Sequence, residues 1–580
     1  MRIRFFILFV LTVAAATLIL QNSTPLVAKE QPAAQNAMVP AAAITPAPSV
    51  AGPFIGAPIP ATRFNGDVRN LPKAPVRPRE APLPLRRPVS NVPARAPAAP
   101  STAVLQTQMG THQSSAPLQN FDGISSTGWY PPDPNGDVGL DHYVQAVNDS
   151  IGVYDKTGPL LASSTFDALF SGVGGTGNPC GNGSNAGDPV VLYDPIADRW
   201  FIADMGYAVD GSPPYYECVG MSQTSDPTQG WNLYALPITD PPGTNDINGD
   251  YAKFGIWADG IYISANIFDS NGNYQGARVW ALDRSDMMSG ASMRHAYFDV
   301  SSSYGNLLPS NLRGSTMPPT GEPAFFASVD QPNTFHLWKF HIDWNTLTNS
   351  TFTGPTDLTV ASFVMACDAA NTITCVPELN GDSVDALGDR LMMQLQYRNI
   401  GGTESLWANH TVAASANTGY PTGIRWYEIR DPNGTPAVFQ QGTYQPDSNY
   451  RWMGSLAVDK YGDMALGYSV SSSSMYPAIR YAGRMSTDPV GKLCIGETAL
   501  IEGTGSQTGN GNRWGDYTAM TIDPADDLTF WYTNEYYSTT GGDWRTRIGS
   551  FQLNQSTAPT LGPYVYYLPL VARSEYANCY

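Results

Sequence analysis

Charge is scarce in this 580-residue chain: 14 % of residues are Asp, Glu, Lys or Arg, and acids outnumber bases 50 to 32. That acidic balance excludes the basic footprint a nucleic-acid binder needs. Histidine is scarcer still, with six in all. His112 lies in Pro/Ala-rich sequence, His336 and His341 lie in an aromatic strand, and no nucleophile is spaced to match His142. Histidine-based catalysis therefore has little to work with. The six cysteines contain no C-x-x-C pair, which argues against a zinc site. The one long apolar run, Phe5–Leu20, is interrupted by Thr12 and Thr17 and falls short of the ~20 residues that span a bilayer. No stretch after Pro117 has the period of a long amphipathic helix; Thr165–Phe170 allows a turn or two.

What is present divides the chain. Arg2 and Arg4 ahead of the short apolar run read as a secretory signal over residues 1–28, ending near Ala28. Residues 29–117 are rich in Ala, Pro, Ser and Arg with little periodicity, the composition of an extended, disordered linker. Residues 1–120 carry 11 Lys/Arg and 3 Asp/Glu, leaving 21 against 47 for the rest. The basic stretch is a solvated spacer or a contact to a polyanionic surface. A mature form without a transmembrane helix, secreted or held at the cell surface, follows from this reading, and a monomer is expected. An oxidising compartment permits disulfides: Cys180 with Cys218, Cys367 with Cys375, and Cys494 and Cys579 either paired or free.

Residues 118–555 are the expected folded domain, and between Gly136 and Phe551 one phrase recurs seven times at roughly 60-residue spacing. A Gly-Asp or similar turn leads into an alternating strand, an acidic turn (Asp194, Asp259, Asp459, Asp523) and a second strand rich in aromatics. The expected fold is all-β, a β-propeller of seven blades, with the irregular fourth unit leaving six or eight open. The last unit offers three strands, Tyr517–Asp523, Leu528–Tyr536 and Thr546–Leu553, so another segment must close its edge. Phe121–Ile124 is the expected donor, and Tyr564–Val571 in the tail (556–580) is its competitor.

Three groups of residues can carry chemistry. Asp133, Asn135, Asp137 and Asp141, with a carbonyl at Gly139, have the oxygen spacing of a Ca²⁺ loop, although an ordinary turn explains the same residues. Asp246, Asn248 and Asp250 repeat half of it, but Phe254 takes the ninth position. Asp137, Asp188, Asp250, Asp389 and Asp516 share the Gly-Asp phrase, with Arg390, Arg451 and Arg513 alongside and Tyr517 near. If these phrases open the innermost strands, these acids, the three arginines and Tyr517 gather at a channel mouth able to bind or hydrolyse an acidic sugar, with Asp250, Asp389, Asp516 and the three arginines as the catalytic candidates. Recurrence favours the other role, in which each Asp caps backbone N–H groups of a neighbouring unit. Gly172–Gly177 matches G-x-G-x-x-G but runs into Asn178-Pro179, not a helix, and reads as a loop.

The phrases Pro131–Asn148, Gly187–Phe201, Arg451–Ser469 and Asn512–Pro524 resemble an uncharacterised family of exported bacterial β-propeller-like proteins over most of Phe121–Leu553. The resemblance implies a propeller and brings no activity. Ser225-Asp226-Pro-Thr-Gln-Gly230-Trp231 and Ser486-Thr-Asp488-Pro-Val-Gly491 are similar to the turns of sialidase-type propellers, with altered spacing and no Trp in the second. The combined expectation is a propeller binding a glycan, envelope polymer or extracellular protein, with structural calcium. The alternative is a sialidase-like glycoside hydrolase or lyase.

Overall fold

The computed structural model describes residues 49–73, 99–208, 211–239, 247–367, 374–414, 421–509, 511–553 and Cys579. The expected signal segment, the middle of the expected linker, Asp246 and the tail around Tyr564–Val571 lie outside these residues. The fold is all-β and propeller-like. Its unit is a four-stranded antiparallel meander, and the strands are rich in the β-branched and aromatic residues that pack on a pleated surface.

The meanders follow one another along the chain. Their first strands are Asn135–Val138, Asn185–Asp194, Asn248–Ile256, Leu308–Leu312, Met392–Ile400, Tyr450–Val458 and Ala519–Ile522. Each first strand contacts the next in chain order, and the seventh contacts the first. In the fourth and fifth meanders this contact is a parallel ladder, Ser310 to Leu395 through Leu312 to Tyr397, which fuses two meanders into one sheet. The acidic turns form because Asp side chains bond their own turn amides. Asp194 accepts from Ile196 and Ala197, Asp459 from Tyr461, and Asp523 from Ala525.

Closure occurs at the expected place. Gln119–Ser125 pairs antiparallel with Trp544–Phe551, Phe121 opposite Ile548, and supplies the fourth strand of the last meander. Backbone groups that would otherwise line an open edge are thereby paired.

The expected linker is corrected over its described parts. Val50–Ile55 adds a fifth strand beside His295–Ser301, and Thr62–Phe64 adds one beside Trp231–Pro237. Leu105–Gln106 lies parallel to Thr443–Tyr444, and His112 exchanges backbone bonds with Cys494 and Gly496. The segment thus visits the third and second meanders and later the fifth, sixth and seventh. Edge addition needs only backbone donors and acceptors, so it imposes no apolar alternation, and an edge tolerates proline. That is why composition pointed to disorder here.

Three disulfides close within the described residues: Cys180–Cys218, Cys367–Cys375 and Cys494–Cys579. The third resolves the open alternative and brings Cys579 beside this N-terminal segment, a belt across the meander edges, where Thr111 N–H donates to its carbonyl. Among the described residues, no helix is long and apolar enough to cross a membrane.

Candidate functional site

An innermost strand has one edge with no ladder partner in its own meander, so its amides must be satisfied from the side. Polar side chains of adjacent first strands do this. Asn135 accepts from Val191 N–H at 2.8 Å and Asp137 from Tyr193 N–H at 2.7 Å. Asn311 accepts from Ile256 N–H, Gln396 from Val458 N–H and Ser455 from Met520 N–H. Asp137 joins the seventh meander to the first through Thr521 Oγ1 at 2.6 Å and takes the Arg313 guanidinium on its other oxygen. The axis beside Asp137 and Arg313 is nearly filled, with a cavity of about 10 Å³, roughly the room for one water.

This ring decides how the expected calcium residues are used. Both oxygens of Asp137 are engaged, and Asn135 faces the second meander. Asp133 accepts from Asp516 N–H at 2.6 Å and Asn148 Nδ2 at 2.8 Å. Asp141 is exposed at the surface, while a Cβ on Gly139 would meet Trp200 at 2.7 Å. These oxygens face different partners, so the donor set does not fit one shared cation. Among the described residues no group of three or more His, Cys, Asp or Glu is arranged to hold a metal.

Above the ring the first strands bulge. Register shifts occur around Gly187 in the second meander, between Asp250 and Lys253, between Met392 and Gln396, and between Trp452 and Ser455. Near them Asp188, Tyr251 and Met453 take φ of 53°, 56° and 47°, a left-handed region costly for bulky side chains. Bulges re-aim side chains. The glycine of the phrase serves close approach: a Cβ on Gly187, at φ 108°, would sit 2.8 Å from Asn148 Oδ1, and one on Gly388 2.4 Å from Ala366 N.

The re-aimed groups form a buried polar pit. Lys253 Nζ lies 3.6 Å from the Tyr251 ring centre and 4.0 Å from that of Tyr517, and Arg390 stands 4.2 Å from Tyr251 on the same ring system. Arg513 pairs with Asp516 and approaches Asp385 at 3.4 Å, while Arg390 pairs with Asp389 at 2.8 Å. Burial pushes Asp133 well above the usual carboxylate range, and Asp516 and Asp188 add to it. Burial also raises Asp188, against the opposing pull of Lys253. Burial lowers Lys253 to about 8, although Asp188, Asp516 and Asp133 favour its charged form. Arg390 Nη1, Arg513 Nη1 and Tyr517 Oη have no hydrogen-bond partner among the described residues.

The expected channel-mouth residues therefore separate. Asp516, Arg513, Asp389 and Arg390 belong to the pit. Asp250 is half-buried on the bulge, bonded to Tyr251 N–H at 2.9 Å. Arg451 points away, to Asp447 at 2.8 Å and Glu497 at 2.6 Å, so its sequence match with Arg513 does not carry into space. Asp188, a member of the Gly-Asp set, joins the pit, and Lys253 and Tyr251 complete the cluster without having been singled out as candidates for chemistry. The available signal was one lysine at the head of an otherwise apolar strand, Lys253–Trp257.

No protein-family model matches this chain, and no curated protein does. Among solved structures it is similar to a Trypanosoma rangeli sialidase mutant displaying trans-sialidase activity, at 10 % identity and a TM-score of 0.34, over 67 % of this chain and 60 % of the sialidase. It is also similar to an α-L-arabinofuranosidase of Fusarium graminearum in complex with an iminosugar inhibitor, at 7 % identity and a TM-score of 0.33, over 76 % and 98 %. An exo-β-1,3-galactanase of Phanerochaete chrysosporium with galactose gives 9 %, 0.26, 76 % and 98 %. Similarity this distant carries no argument about the chemistry of the pit. The two sialidase-like turns occupy corresponding places, each joining the third and fourth strands of its meander: Ser225–Trp231 after Tyr216–Ser222, and Ser486–Gly491 after Met475–Arg484.

Proposed function

We propose that this chain is an exported, monomeric seven-bladed β-propeller that binds a glycan carrying a carboxylate, through the pit of Lys253, Arg390, Arg513 and Tyr517. The cyclic contacts of seven first strands support the blade number, and the three disulfides with the N-terminal signal pattern support export. One observation carries the binding reading. Arg390 Nη1, Arg513 Nη1 and Tyr517 Oη, all able to donate, are buried without partners among the described residues. Leaving a buried donor unsatisfied costs about 1–3 kcal/mol, which an incoming acceptor recovers. Tyr251, Asp516, Arg513 and Asp188 keep 5–7 % exposure while Lys253, Arg390 and Tyr517 are at most 1 % exposed, so these four are the edge from which a carboxylate would reach the buried donors. The ligand's acidic terminus enters, and the remainder of the glycan lies across the face.

Hydrolysis is the second reading, and the raised Asp188 carboxyl favours it as a proton donor. Glycoside hydrolysis requires a second free carboxylate. Asp133 and Asp516 are already held by Asn148, the Asp516 amide and Arg513, which favours binding over turnover. The test is one panel of uronate- and sialate-terminated oligosaccharides, with neutral counterparts, scored for both binding and release of reducing sugar. Binding of acidic members without release is expected. Release that Asp188→Asn abolishes would replace binding by hydrolysis, and no preference for acidic members would refute the assignment.

A further inference from the structure

A concavity that shares no residue with the pit lies between the outer strands of the fifth meander and the turns of the sixth. Its volume is about 210 Å³, below the ~300 Å³ at which pockets for drug-sized ligands begin, so it suits one ring and not a chain. Tyr461, at the tip of the Asp459–Asp463 turn, is 60 % exposed, and Phe439 opposite is 45 % exposed. Aromatic rings held at the rim of a polar groove are costly to leave in water and offer flat apolar faces.

The polar lining is ordered before any ligand arrives. Arg430 lies 3.3 Å from the Phe439 ring centre and donates Nε to Glu428 at 2.5 Å. Gln440 donates to the other Glu428 oxygen at 2.6 Å, while Gly491 N–H holds Gln440 Oε1. Arg484, buried behind them, is fixed to the carbonyls of Lys492 and Asp488. Ser486, whose amide donates to Asp463, begins the second sialidase-like turn. Glu428 meets the Arg430 guanidinium on one oxygen and the Gln440 amide on the other, with Arg484 near enough to feel its charge, so the groove carries no excess negative charge, and it presents both acceptors and donors side by side. A sugar ring has the complementary chemistry: each hydroxyl donates and accepts, and the C–H face is apolar.

We propose that this groove is a separate binding site for one neutral sugar ring, stacked on Tyr461 with its hydroxyls on Glu428, Arg430 and Ser486. It does not depend on the pit. The test titrates the intact protein with methyl glycosides of glucose, galactose, mannose and xylose, and with methyl glucuronide, by saturation-transfer NMR and calorimetry. At least one neutral glycoside is expected to bind, weakened about three- to tenfold by Tyr461→Ala and by Arg430→Met, and unchanged by Tyr517→Phe. Tyr461 is an exposed turn residue, so its replacement leaves folding intact, which circular dichroism checks. Binding unaffected by Tyr461→Ala, tighter binding of the glucuronide at this site, or no binding of any neutral glycoside would overturn the proposal.

Discussion

Two polar layers lie one above the other along the meander axis, and they differ in how completely their groups are bonded. In the ring of Asn135, Asp137, Asn311, Gln396 and Ser455, each side chain answers an amide of a neighbouring first strand. In the pit, charges are present without full bonding: Arg390, Arg513 and Tyr517 keep donors unmatched. Both layers are buried, and both draw on the Gly-Asp phrase. Burial and repetition therefore do not separate structural from functional polar groups in this molecule. Hydrogen-bond satisfaction is what distinguishes the two layers, and the binding reading proposed above rests on that difference.

The largest effect is expected from the closure. Removing residues through Gly128 deletes Gln119–Ser125 and exposes the edge of Trp544–Phe551, and the domain should aggregate or fail to show a cooperative melt. A truncated protein melting within a few degrees of the intact one would show that ring and pit do not need closure. Next, Asp137→Ala strands the buried Arg313 and two donors from other meanders, and urea unfolding should show a loss of about 3–5 kcal/mol. A loss below about 1 kcal/mol would remove the distinction between the layers.

The pit is expected to respond to pH in its binding. Lys253 is charged below about 8 and neutral above it, so affinity for an acidic glycan should fall as pH rises through about 8. The sign for stability is opposite. Its folded pKa lies below the unfolded value, so between about 8 and the unfolded lysine pKa the unfolded state binds more protons and stability rises with pH. Lys253→Met should flatten both profiles. Calcium gives the smallest expected effect: because the oxygens of Asp133, Asn135 and Asp137 already accept protein donors, melts with calcium and with chelator should coincide within about 1 °C. A rise that Asp137→Ala abolishes would show that the ring carries an ion as well.

Much of the fold was legible because propeller-like units repeat their signals: alternating strands, Asp-capped turns, and a final unit short of a strand that Phe121–Ile124 supplies. The belt was not, since Val50–Ile55 and Thr62–Phe64 attach through backbone bonds that leave no trace in composition. The Gly-Asp phrase marks residues of both polar layers, Asp137 in the ring and Asp188, Asp389 and Asp516 in the pit. The direction of each side chain was beyond it, because a bulge shifts facing by one residue and the sequence does not announce bulges. Hence Arg513 turns into the pit while Arg451, in the matching Arg-Trp pair, turns to Glu497.

The most direct test is Tyr517→Phe, with stability and binding of a uronate-terminated oligosaccharide measured on the same sample. The hydroxyl removed is buried and unpartnered, so unfolding free energy should stay within about 0.5 kcal/mol or rise, while affinity for the acidic glycan falls about tenfold. A substantial loss of stability with binding unchanged would contradict the account, since Tyr517 would then belong with the structural ring.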